Sequence, residues 1–203
     1  MKDESTVKPT DKLSGIATGM LMMALFTGIW TVIAYIGLKT SPYKIALILF
    51  PVLISIFTSY ALRFLKVSKH YPDQGIKVVS EADKKRDKRF TYVFVGEGLG
   101  ILIGINIVTN LGYPDLVIPV IALVVGLHFF PLGWLFKRAQ DYYLATWSTV
   151  VAVCGIIFSF YGLLSYSWVI AFIGVGMAVA TSVYGCSMLI RGLKMRVLAD
   201  ALN

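Results

Sequence analysis

Residues 116–130 read LVIPVIALVVGLHFF, fifteen positions of which His128 alone is polar. A strand with one wet face alternates apolar and polar side chains with period two, and this run does not alternate. A helix that is apolar on every side is stable only in apolar surroundings. Carried outward to residues 115 and 136 the run reaches 22 residues, and about 20 residues at ~1.5 Å each cross ~30 Å of hydrocarbon. The stretch is therefore predicted to be a membrane-spanning helix.

Five further blocks share that length and character, at 13–37, 43–65, 90–111, 143–164 and 167–190, beside 115–136. With 57% hydrophobic and 15% charged residues and a mean hydropathy of +0.75, most of the chain has lipid as its solvent. The first twelve residues, MKDESTVKPTDK, are polar, and the apolar run after them is about twice a signal-peptide core, so it reads as a retained first helix. The fold class expected is an all-α membrane protein, a single polytopic domain over 1–203 with six transmembrane helices as three consecutive hairpins. Outer connectors LKTSPY, LGYPD and LLSYS close the hairpins, and a long inner loop, 66–89, joins the second helix to the third. The odd helices share GIW, GIN and GII at Gly28, Gly104 and Gly155, and the even helices end in ALRFLK, WLFKR and LIRGLK, which suggests a tripled hairpin.

Of the 19 Lys and Arg residues, only Lys39 and Lys44 fall on the outer side. Short cytoplasmic loops hold the positive charge, so the N- and C-termini and the 66–89 loop are expected in the cytoplasm. The net charge of +8 is thus mainly a topology signal, with attraction to anionic lipid headgroups as a second effect. Nucleic-acid binding is not expected. In the inner loop Ser80 followed by Asp83 resembles an N-cap that opens a basic helix continuous with helix three. His70, in the same loop, has no Cys or carboxylate spacing that suggests a metal.

Helix three contains VGEGLGILIGIN, which sets Gly96, Gly100 and Gly104 at four-residue intervals as a ridge for helix packing. At ~100° per residue Glu97 lies about 60° from Gly100 and about 20° from Gly104, so it faces the packed side. An ionised carboxylate facing lipid would cost ~2.5–3.5 kcal/mol or more. His128 on helix four is its obvious partner. Both lie 15.5 residues from the centre of the connector, so antiparallel packing brings them to the same depth. Pro131, one turn on, removes the N–H that would bond the Leu127 carbonyl and allows a helix kink. Two readings of this intramembrane polar site compete. The pair can fix helix rotation as buried polar groups do, or it can border a water-accessible cavity and bind a proton, cation or polar solute, since His titrates near neutrality. Contact with a partner subunit is a third use.

Asn106 lies opposite Glu97 on its helix, and the hydroxyls of Thr31, Ser55, Thr58, Ser148 and Ser159 can bond within their own helices. Cys154 and Cys186 read as small hydrophobes without a disulfide framework. Gly174, Ala178 and Ser182 repeat the small-residue spacing in helix six. HExxH, G-x-S-x-G, a Walker loop and a dinucleotide fingerprint are all absent from the sequence, so no catalytic residue, cofactor or metal is assigned, and an enzyme is not the expected reading.

In helix four, Gly126, His128, Phe129, Pro131, Trp134, Leu135 and Phe136 form a G-x-H-F-x-P-x-x-W-L-aromatic stretch. It resembles that of uncharacterised small bacterial six-helix membrane proteins. The resemblance covers about twelve residues and implies a bacterial cytoplasmic membrane, without implying an activity. The expected function is a small transporter-like or channel-like module with Glu97 and His128 as its polar site. The alternative is a non-transporting scaffold or partner subunit that uses the basic loop. The lipid bilayer is the expected partner, and the Gly96, Gly100 and Gly104 ridge suits either a homo-oligomer or packing within one chain.

Overall fold

A computed structural model describes residues 9–70 and 81–201. Six helices, α1 (Pro9–Leu38), α2 (Leu49–His70), α3 (Glu81–Asn110), α4 (Val117–Phe136), α5 (Ala139–Phe160) and α6 (Tyr166–Ala201), account for nearly all of it, with no strand among the described residues. Among the described residues six segments are long and apolar enough to span a membrane: Leu13–Leu38, Pro42–Lys69, Lys84–Asn110, Pro114–Phe136, Ala139–Phe160 and Tyr166–Met195.

The helix limits follow local chemistry. Pro42 disfavours helical backbone at the residue before it, so α1 stops at Leu38 and the second span begins as a 3-10 segment, Pro42–Ile48. Gly112 takes the left-handed conformation (φ 81°) after α3, and the amides of Gly112 and Tyr113 return to the carbonyls of Thr109 and Val108 as a glycine-terminated helix requires. Lys137 does the same after α4 without being glycine (φ 51°), its amide donating to the Gly133 carbonyl. That tight reversal starts α5 at Ala139, four residues before the hydropathy limit, while α6 runs eleven residues past Ile190. The basic residues before Phe90 continue into α3 as one helix. Ser80, read as its cap, and residues 71–79 of the inner loop lie outside the described residues.

The chain packs as two compact units. The first combines Met1–Gly28, Ile48–Ile76 and Thr181–Asn203. Leu13, Ala17, Met20 and Ala24 of α1 meet Phe57, Ala61 and Phe64 of α2, all buried at three- to four-residue intervals. Gly185 and Gly192 of α6 give way to Phe57 and Phe64; a Cβ on Gly185 would stand 2.5 Å from the Phe57 ring. Between lipid-solvated helices burial has little hydrophobic driving force, so such close fits supply the attraction. Thr27 Oγ1 and Thr181 Oγ1 add a buried hydrogen bond of 2.8 Å between α1 and α6.

The second unit combines Ile29–Leu47 with Lys77–Ala180. Here Gly174 of α6 lies against the backbone of Trp30 and Ala34, and Gly37 of α1 against Ser167 and Ala171. Gly176 abuts Val151, and its carbonyl accepts the Trp147 indole N–H at 2.9 Å. Helix α4 packs along both α3 and α5. At Gly126 the α5 backbone comes so near that an added Cβ would stand 2.8 Å from the Thr149 nitrogen.

Candidate functional site

The glycines of α3 set its distance from α4. A Cβ on Gly104 would stand 2.6 Å from Val120 Cγ1, and one on Gly100 would stand 3.1 Å from Val124 Cγ1. Gly96 is different: nothing lies within 4 Å of a Cβ built there. Two of the three ridge positions therefore receive α4, and the third faces open space.

Glu97 and His128 come together on this contact. Glu97 Oε1 lies 3.4 Å from His128 Nδ1, with side chains 12% and 11% exposed. Nδ1 also lies 2.6 Å from the Val125 carbonyl oxygen. A carbonyl can only accept, so Nδ1 carries the proton and donates it to Val125, with the Glu97 carboxylate as its second, longer neighbour. In the neutral ring Nε2 then holds the lone pair and is the nitrogen able to take up a proton or ligand. The Phe129 ring, 4.1 Å away centroid to centroid, restricts the imidazole further. Pro131 lies inside α4, and its missing N–H leaves the Leu127 carbonyl without its helical donor.

The chain matches no family model, no curated protein and no solved structure.

A second buried acidic group lies on α5. Asp141 is 1% exposed, and neither carboxylate oxygen has a hydrogen-bond partner among the described residues. It shares the buried face of α5 with Leu144, Ala145, Ser148, Val151 and Ala152, and the Ser148 hydroxyl is likewise buried without a partner. Placing the fifth span at 143–164 put Asp141 in a connector. The available signal was its i, i+3, i+4, i+7 spacing with Leu144, Ala145 and Ser148. In the first turn of α5 the partial positive charge of the helix start favours a carboxylate.

Other sequence candidates are dispersed. Asn106 donates to the Leu102 carbonyl at 2.8 Å on an exposed face of α3, and Ser159 lies 3.4 Å from the Asp115 carbonyl. Cys154 and Cys186 are free thiols. Among the described residues no group of three or more His, Cys, Asp or Glu is placed to hold a metal ion.

Proposed function

We propose that this is a small transporter-like or channel-like membrane protein whose intramembrane Glu97–His128 pair binds a proton, a cation or a polar solute. The observation that carries the reading is the 3.4 Å approach of a carboxylate to an imidazole, both nearly enclosed, in a chain with six apolar helices. Ionisable groups within membrane-spanning helices are costly and mark solute and proton pathways. The charge asymmetry supports three hairpins with both termini cytoplasmic. The helix-four stretch supports a bacterial cell membrane.

The alternative is a non-transporting scaffold or partner subunit, which the exposed row of cations at the start of α3 supports. Proton flux into proteoliposomes under a pH gradient separates the two. Flux by the native chain that is lost in both Glu97→Gln and His128→Ala, with folding verified, supports a conducting pair. Absence of native flux ends the proton version and favours the scaffold.

A further inference from the structure

Outside the polar pair, a charged patch lies where α3 begins and α4 ends. The Arg89 guanidinium stands 5.6 Å from the centroid of the Trp134 ring, the Lys88 ammonium 5.8 Å from that of Tyr92, and the Arg138 guanidinium 4.6 Å from that of Phe136. Phe136 meets Phe90 edge-on at 5.9 Å. Arg89 and Lys88 are oriented by the rings they cover but not neutralised by them. Arg89 is exposed, and Trp134 is 64% exposed.

The surface beyond Arg89 is apolar and indented. Gly96 lies seven residues further along α3, which places it within about 20° of the same face and ~10 Å from Arg89. Leu127 stands in the same relation to Trp134 on α4. Nothing comes within 4 Å of a Cβ on Gly96; the two helices touch at Glu97 and His128, about 100° away round α3, and again where Gly100 faces Val124. Leu127 is 46% exposed, and Pro131 is exposed beside it. On the Gly96 side of Glu97 and His128, between the Arg89–Trp134 contact and the Gly100–Val124 contact, the helices thus border an apolar crevice with a cation at its mouth.

We propose that this crevice is a site for an anionic phospholipid of the surrounding bilayer. The lipid phosphate sits on Arg89 with Lys88 and Arg138 near it, and one acyl chain lies along Gly96, Leu127 and Pro131. A soluble anion would match the cations alone. A nucleic acid or acidic peptide would have to lie against exposed Phe94, Val95 and Leu99, which suit hydrocarbon. A phospholipid matches both parts in the order in which they occur. This site stands whether or not Glu97 and His128 conduct.

The test uses the full chain, released from mixed phosphatidylglycerol and phosphatidylcholine bilayers into mild detergent, with bound lipid counted by native mass spectrometry. The native chain is expected to retain phosphatidylglycerol over phosphatidylcholine, and Arg89→Gln to lower that preference about fivefold, the effect of one interfacial cation. Gly96→Phe, which fills the crevice and leaves every cation in place, is expected to reduce retention of both lipids and keeps the proposal testable if Arg89→Gln misfolds. Lys44→Gln, at the opposite end of the spans, is expected to change neither. Equal retention of the two lipids by the native chain, or unchanged retention in Gly96→Phe, overturns the proposal. So does displacement of the lipid by millimolar inorganic phosphate, which would make this a site for free anions.

Discussion

His128 Nδ1 donates to the carbonyl oxygen of Val125, 2.6 Å away on its own helix, so the ring is anchored by one nitrogen and can do chemistry only with the other. Asparagine reproduces a donor near Nδ1 and lacks Nε2. His128→Asn is therefore expected to keep the thermal stability of the native chain to within about 1 kcal/mol, because a single buried hydrogen bond has that net worth. His128→Ala strands the buried Glu97 and is expected to lose more. If Nε2 is the working atom, His128→Asn abolishes proteoliposome flux while remaining folded, and retained flux would exclude Nε2.

The glycines of α3 predict a graded series. Gly104→Ala pushes against Val120 and is expected to destabilise by ~1–3 kcal/mol, the usual cost of overpacking, whereas Gly100→Ala needs Val124 to shift by only a few tenths of an ångström. Gly104 is expected to cost more, since its Cβ would sit 2.6 Å from Val120 against 3.1 Å at Val124. Gly96→Ala meets nothing and is expected to be neutral or to stabilise by up to ~1 kcal/mol through helix propensity. Denaturant titration of the three variants in one detergent decides the order.

Asp141→Asn is expected to stabilise the chain. The carboxylate is buried with neither oxygen paired among the described residues, and burying an ion costs several kcal/mol. The start of α5 returns only ~0.3–2 kcal/mol of that. A lower melting temperature for Asp141→Asn would show that the charge has a partner.

Thr27 and Thr181 share a buried hydrogen bond across 154 positions of sequence. A double-mutant cycle with Thr27→Val and Thr181→Val is expected to give a coupling of about 1 kcal/mol, in the range of interhelical hydrogen bonds within bilayers. A value near zero would mean that each hydroxyl is satisfied by its own helix.

Topology is open to direct labelling. Cysteines introduced at Tyr43 and at Lys137 are expected to react with an impermeant maleimide from opposite sides: the first in intact cells, the second only after permeabilisation. Reaction of both from one side would contradict the hairpin arrangement.

The number of helices was legible because lipid imposes one requirement, ~20 apolar residues, and hydropathy reports it without knowledge of packing. Limits were less legible where polar residues lie inside a helix: the first turn of α5, Ala139 to Tyr142, resembles a loop by composition yet buries Asp141. Counting residues to the turn assigned Glu97 and His128 a common depth, but their rotation depends on where α4 meets Gly100 and Gly104, which no single-helix pattern contains. The open space at Gly96 was illegible for the same reason. A glycine looks identical in sequence whether a neighbour fills its notch or not. The contact of Gly37 with Ser167 and Ala171 joins the first helix to the last, a pairing that neighbouring hairpins do not suggest.

The approach of Glu97 on α3 to His128 on α4 constrains how the chain is made. Helices enter the bilayer in the order of synthesis, and Glu97 is translated 31 residues before His128. Until then α3 presents an unpartnered carboxylate to the insertion machinery, at a position where such a group opposes release into lipid by a few kcal/mol. The third and fourth helices are therefore expected to leave that machinery together, as a unit that becomes lipid-soluble only once its second half has been synthesised.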